Sequence, residues 1–285
     1  MLLVTLFWGG NFTATKLAFT EIEPLAFTAL RFLLATAVIW LIVRRVEGSS
    51  PLPKGVLGPL ILLGVVGNTL YQWFFMEGLW RTSATKSSLI LAAMPVLVTV
   101  TASLLGIEKV TGRQRLAILL ATIGVAIVVF ARGGTLGGGI GLGELFLFGA
   151  VVTWAVYTLL LRHWKLPISS LRLTAWTLYT GTPGLVLLGI PALRRTEWTQ
   201  VTLIGWGGTL YAALLSLIAA YILWNRGVAQ LGAARTVAYN TLVPLVATVI
   251  AMIGLGEHPG IWHLVGGALI VSGVLLTHGA AAPEG

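Results

Sequence analysis

The chain is 285 residues long, with 57% hydrophobic and 9% charged residues, where an ordinary soluble domain carries about 25% charged residues. Eighteen Lys and Arg, nine Glu and no Asp are too few to wet a soluble fold of this length, so a water-soluble globular class is excluded and lipid is the natural solvent. The net charge of +9 is scattered in short loops without a basic run, which argues against a nucleic-acid partner, and the lack of Cys excludes a disulfide framework, a thiolate nucleophile and a Cys metal site.

A hydrocarbon core of about 30 Å takes about 20 apolar residues per helix, and breaks at Pro, Gly and charge clusters divide the chain into ten such spans. Span 1, residues 2–20, lacks the basic n-region and cleavage site of a leader; it carries Trp8, Asn11 and Thr15 on one stripe and Lys16 near its end. Span 2, residues 24–44, carries Arg31. Span 3, residues 56–80, gathers Gly64, Asn68, Tyr71, Gln72 and Phe75 near one face and carries Glu77 toward its end. Span 4, residues 84–105, opens beside Lys86 and contains Pro95, with Glu108 just beyond it. Span 5 covers 114–131. The Gly-rich stretch at 133–143 has no phosphate-loop Lys and reads as a flexible connection.

Span 6, residues 141–162, opens at Glu144 and presents Trp154 and Tyr157; span 7 covers 169–191. Span 8, residues 200–224, ends on Tyr221 and Trp224, span 9, residues 232–255, holds Tyr239, Asn240 and Pro244, and span 10 covers 261–279 after Glu257. These segments are too long and too continuously apolar for strands of an outer-membrane barrel, so the fold class is an all-α integral membrane protein. With both termini cytoplasmic, eleven Lys and Arg fall in inner loops and five in outer loops, the bias that sets such an orientation.

Sliding the chain by 149 residues aligns 71–130 with 220–279 without a gap, matching Pro95 to Pro244, Glu108 to Glu257 and Gly124 to Gly273. Trp8 and Trp154 correspond at an offset of 146. The repeat is five helices long: residues 1–132 form one half, 133–140 a connection and 141–285 the other half. Because five is odd, the second half enters the membrane from the opposite side, and two inverted repeats make ten transmembrane helices of a transporter type.

A solute path needs aromatic faces and a few uncharged hydrogen-bonding groups, so the candidate cavity residues are Trp8, Asn11, Asn68, Tyr71, Gln72, Phe75, Trp154, Tyr157, Tyr221, Tyr239 and Asn240. Each also has a plain reading as helix packing, and Trp40, Trp80, Trp198 and Trp262 read as interfacial anchors. Lys16, Arg31 and Glu77 are placed near outer span ends beside Glu21 and Glu23, as local ion pairs or an outer gate that Lys86 joins. Pro95 and Pro244, inside spans, are candidate hinges. Glu108 and Glu257 are expected to lead the helices that follow them, where amide ends favour negative charge. Small residues at 181, 184, 266, 267 and 273 suit close helix packing, within the chain or in a homodimer. The four His are dispersed and no metal or cofactor is expected.

The segments WGGNFTATKLAF, ALRFLLA, MPVLVTVTASLLGIEKVT, GELFLFGAVVTWAVYTLLLR and WNRGVAQLGAARTVAYNTLVPLVATVIAMIGLGEHPGIWHLVGGALIVSGV resemble the two EamA-type halves of the drug/metabolite transporter superfamily. Within it, the aromatic-rich span 3 and the Trp pair are similar to aromatic amino acid exporters, while Tyr239, Asn240 and residues 258–260 depart from the common pattern. The resemblance implies a plasma-membrane exporter of small metabolites, the inner membrane in a bacterium, whose spans 1, 3, 4, 6, 8 and 9 rock about the cavity while 5 and 10 brace it. Its partners would be a small-molecule solute and membrane lipid. With no Asp and every Glu near a span end, facilitated diffusion is expected rather than proton antiport. Efflux of organic cations, proton coupling and a membrane scaffold stay open as alternatives; an enzyme is not expected.

Overall fold

The structure is a computed structural model that describes residues 1–48, 51–94, 97, 112–132, 135–136, 140–164, 166–231 and 239–278. Helix α1 is Leu2–Ala18, α2 Pro24–Val46, α3 Leu57–Arg81, α4 Ala84–Leu91, α5 Gly112–Phe130, α6 Leu142–Trp164, α7 Ser170–Arg195, α8 residues 203–231, α9 Val243–Leu255 and α10 Ile261–His278. Between α5 and α6 the Gly-rich connection contains a two-residue antiparallel ladder, β1 Ala131–Arg132 with β2 Thr135–Leu136, which no apolar alternation announces.

Helix boundaries follow local chemistry. Ser83, Ser169 and Thr202 each accept a bond from a first-turn amide of α4, α7 and α8, and Pro24 opens α2 where its missing N–H costs nothing. Gly256, at φ +63, closes α9 in the left-handed conformation that glycine adopts without strain. Among the described residues five helices are long and apolar enough to cross a membrane, and α5, α9 and α10 contain shorter apolar stretches. Leu203 and Ile253, 89% and 83% exposed, are among many outward Leu and Ile that suit a lipid-facing surface, so the chain is a multi-pass membrane protein.

Two rods are not uniform α-helix. In α3 a π-helical stretch, Val65–Leu70, separates Leu57–Gly64 from Tyr71–Arg81; in α8 another, Tyr211–Ala219, separates Leu203–Leu210 from Ala220–Leu231. π-helix is rare and concentrates at functional sites. Val65 and Tyr211 are 146 positions apart, the offset between Trp8 and Trp154. Periodicity gives no sign of either stretch.

The rods pack as α5 with α10, α2 with α7, α3 with α6, and α1 with both α8 and α9. Backbones touch at glycine. A methyl group on Gly124 would lie 2.6 Å from the Gly266 carbonyl, and one on Gly273 would lie 2.6 Å from the Ala117 carbonyl. Under the 149-residue shift these two contacts exchange. Gly181, Gly184, Gly266, Gly267 and Gly273 therefore pack against Asn68, Thr69, Gly124, Leu89 and Ala117 of the same chain. That stripe makes close contacts within the chain.

Hydrogen bonds sort the loops into two ends of the bundle. At one end Glu21 accepts from Thr202 and Gly205, Glu23 pairs with Arg195, and Glu257 accepts from Ala84 and Thr85. At the other, Ser169 donates to Glu47 and Arg172 reaches the Pro51 carbonyl. These groupings match the alternation that successive membrane crossings require.

Candidate functional site

The centre of the bundle is aromatic. Trp8 of α1 lies edge-on to Tyr221 of α8 with centroids 5.9 Å apart, and 5.1 Å from Trp224. From α3, Tyr71 stacks on Phe75 at 5.9 Å and meets Trp154 of α6 at 4.8 Å; Trp154 in turn lies 5.1 Å from Tyr157. Phe12 of α1 joins the groups through Phe75 at 5.5 Å. Four rods thus bring together Trp8, Tyr71, Phe75, Trp154, Tyr157 and Tyr221, as the helical spacing predicts. Trp8, Tyr71, Trp154, Tyr157 and Tyr221 each keep some open ring surface.

The π stretches shape this centre. Trp8 Nε1 donates to the Ser216 carbonyl at 3.1 Å, and Tyr211 Oη donates to the carbonyls of Leu6 and Phe7 at 3.2 Å, so α1 is tied to the irregular part of α8. Gly67, within the other stretch, leaves the space that the Tyr157 ring occupies. Asn68 and Gln72 are buried on the same rod, and Asn11 is buried with Oδ1 accepting from Thr15 at 3.5 Å. Phe12 and Tyr211 lay outside the sequence-based set because nothing in their spacing separates them from packing aromatics.

Arg31 departs most from expectation. The sequence reading puts it near a span end beside Glu21 and Glu23; instead it sits seven residues into α2, about 10 Å below the helix start, and is 1% exposed. Its Nη2 donates to Gln72 Oε1, its guanidinium lies 5.4 Å from the rings of Phe27 and Phe32, and Tyr71 and Tyr221 face it electrostatically. Its Nε has no partner. Among the described residues no carboxylate forms an ion pair with it.

The other proposed gate residues also take partners that differ from those expected. Lys16 donates to the Trp80 carbonyl at 3.3 Å and faces Glu257. Glu77 pairs with Arg81 one turn on, and Lys86 pairs with Glu144 and donates to the Val129 carbonyl at 2.9 Å. Glu257 leads a helix N-terminus, but that of α4 rather than of the following α10. Cross-helix geometry decides the partners of Lys16, Lys86 and Glu257, whereas Glu77 is satisfied within its own helix. The Glu21 carboxyl, outside the spans, is held below its ordinary range by bonds from the Thr202 hydroxyl and amide, and the Arg195 bond lowers Glu23 likewise.

Tyr239 lies in a single 3-10 turn, Tyr239–Leu242, where its carbonyl accepts from Thr5 at 3.4 Å. Asn240 shares that turn, its side chain outside the described set. Pro244 is not inside a continuous helix: it occupies the first turn of α9, directly after the 3-10 turn, where it breaks no backbone bond. Pro95 and Glu108 fall outside the described residues. A hollow of about 430 Å³, bounded by Glu23, Pro24, Glu77, Trp80, Arg81 and Arg195, opens at the Glu21 end. Among the described residues no group of three His or carboxylates could hold a metal.

Outward apolar rods around a polar, aromatic centre define a polytopic membrane protein built to handle a solute. The chain belongs to the EamA-like transporter family, whose model matches residues 1–130 and again 141–278; it is a membrane transporter and not an enzyme. It is 29% identical over 282 residues to YyaM, an uncharacterized transporter of Bacillus subtilis, across 96% of this chain and 91% of that one. It is also 27% identical over 277 residues to a probable terminal-alkyne amino-acid exporter of Streptantibioticus cattleyicolor, across 97% of this chain and 91% of that one. A solved crystal structure shares the fold, with a TM-score of 0.69 at 20% identity over 97% of this chain and 94% of its own.

Proposed function

We propose that the chain is a ten-span exporter of small metabolites, with amino acids the leading class and aromatic ones favoured, that works by alternating access between inverted halves, residues 1–132 and 141–285. The observation that carries this reading is the aromatic centre shared by α1, α3, α6 and α8 around buried Gln72 and Arg31. Such walls give a flat solute broad contact while the few polar groups orient it. The family match falling twice on the chain, the paired π stretches and the amino-acid exporter among its relatives all favour the same reading.

Facilitated diffusion fits the chemistry of the centre. A proton carrier must titrate, and among the described residues the charged group there is a guanidinium, which stays protonated. The carboxylates with described partners lie toward the bundle ends. We place the Glu47 end in the cytoplasm of a cell membrane, where the eleven basic loop residues would lie. Pro244, at the junction of two helix types, and Pro95 would serve as hinges, and Lys16, Glu77 and Lys86 would line the outer gate.

Counterflow in proteoliposomes tests the proposal. Phenylalanine or tryptophan should exchange, and Trp8→Ala, Tyr71→Ala or Trp154→Ala should each lower that exchange at least roughly tenfold, as expected when an aromatic contact to the solute is lost. Uphill movement driven by a pH gradient alone would overturn the facilitated mechanism. Unchanged exchange in all three variants would remove these residues from the path.

A further inference from the structure

We propose that Arg31 is the anchor for an anionic group, a carboxylate, on the transported solute; this rests on the transporter reading and names its solute class. An ionisable side chain buried at depth in a membrane protein is expensive unless paired, and normally has a definable partner. Arg31 is 1% exposed and some 10 Å below the start of α2. Its surroundings are the amide of Gln72, the rings of Phe27 and Phe32, and the phenols of Tyr71 and Tyr221. All are neutral in charge. The sequence contains no Asp, and the described carboxylates take other partners: Glu21 the start of α8, Glu23 Arg195, Glu47 Ser169, Glu77 Arg81, Glu144 Lys86, Glu197 Gln200, and Glu257 the start of α4.

The guanidinium is only partly satisfied: Nη2 donates to Gln72, while the buried stem nitrogen Nε has no partner. A carboxylate is the planar acceptor that such a fork takes, and the bond would be charge-assisted in a site walled by aromatic rings. Tyr71, which faces the guanidinium, also contacts Trp154 at 4.8 Å. A solute with a carboxylate at one end and a flat apolar body at the other could therefore reach the cation and the rings together. The same cation disfavours organic cations as cargo, since like charge at a buried site is strongly repulsive.

The test uses the purified full-length chain and three probes: phenylalanine, 3-phenylpropionate, which has the carboxylate without the amine, and phenethylamine, which has the amine without the carboxylate. Binding is read by ligand-induced thermal stabilisation and flux by counterflow. The two carboxylates should bind at least roughly tenfold more tightly than phenethylamine. Arg31→Gln should abolish that preference, and Arg31→Lys, which keeps a charge without the fork, should retain part of it. The comparison on the unaltered protein stands even where Arg31→Gln fails to fold. Equal affinity for phenethylamine and phenylalanine, no binding of either carboxylate, or undiminished carboxylate binding by folded Arg31→Gln would each overturn the proposal. Carboxylate-selective binding without counterflow would leave the anchor standing and bring down the proposed amino-acid export instead; equal flux and affinity for all three would do the reverse.

Discussion

Thr36 of α2 and Thr182 of α7 meet hydroxyl to hydroxyl at 2.7 Å, and 146 positions separate them. That is the separation of Trp8 from Trp154 and of the starts of the two π stretches. A two-fold operation exchanging the proposed halves at this offset returns the pair to itself, so the bond would sit on the axis. Removing one hydroxyl leaves the other seeking a partner: Thr36→Val and Thr182→Val should each destabilise the protein by about 1 kcal/mol, and the double variant by less than the two together. Thermal unfolding in detergent reads the cycle; strict additivity would show that the hydroxyls do not interact.

Gly124 tests the packing of α5 on α10. Because the neighbour of its missing methyl is the backbone of Gly266, which cannot rotate away, Gly124→Ala should cost about 1–3 kcal/mol. Gly207→Ala, on α8 with nothing within 4 Å, should be neutral or stabilising by up to about 1 kcal/mol, since alanine loses less entropy in a helix. Equal melting temperatures for the two variants would refute the close contact.

The α4 cap depends on a residue far away in the chain. Glu257→Ala removes the acceptor for the amides of Ala84 and Thr85 and should lower stability by about 1 kcal/mol, with Glu257→Gln retaining part of it. Faster amide exchange at Ala84 and Thr85 in the variant, against unchanged exchange at the start of α10, would locate the effect.

Acid should loosen the Glu21 contact. Its carboxyl is held below the ordinary value of 4.5 by the Thr202 bonds, so its contribution to stability is complete above that value and is lost as the pH falls through the lower, folded one. The melting temperature of the wild type should exceed that of Glu21→Gln at neutral pH and converge with it in acid. A constant gap down to pH 3 would contradict the assignment.

The absence of cysteine makes topology directly readable. Lys54 and Thr199 are exposed on loops at the two different ends. In intact cells an impermeant maleimide should label Thr199→Cys and not Lys54→Cys. Labelling of both, or of Lys54→Cys alone, would reverse the proposed orientation.

Much of this molecule can be read from its sequence because lipid imposes a simple rule on each rod separately. The starts of α2, α3, α7 and α10 fall within a residue of the apolar segments, and the stripes carrying Trp8, Tyr71, Trp154 and Tyr221 do converge. What escapes is everything decided between rods. Nearness in sequence points Arg31 to the loop carboxylates, yet burial against Gln72 fixes it. The same nearness points Glu257 to α10, although it caps α4 across the bundle.

The π stretch of α3 separates folding from placement. A π turn amounts to one residue more than an α-helix needs, and an α-helix turns about 100° per residue. Were Val65–Leu70 to wind as regular α-helix with no residue removed, the rod would be as apolar and as long-lived in lipid as before. Everything beyond it, or everything before it, must then swing by that angle, and Tyr71, Gln72 and Phe75 lose their common aim. The molecule would still insert and melt as a folded protein while its centre no longer existed: a single surplus residue acts as the dial that points an ordinary membrane helix at its cargo.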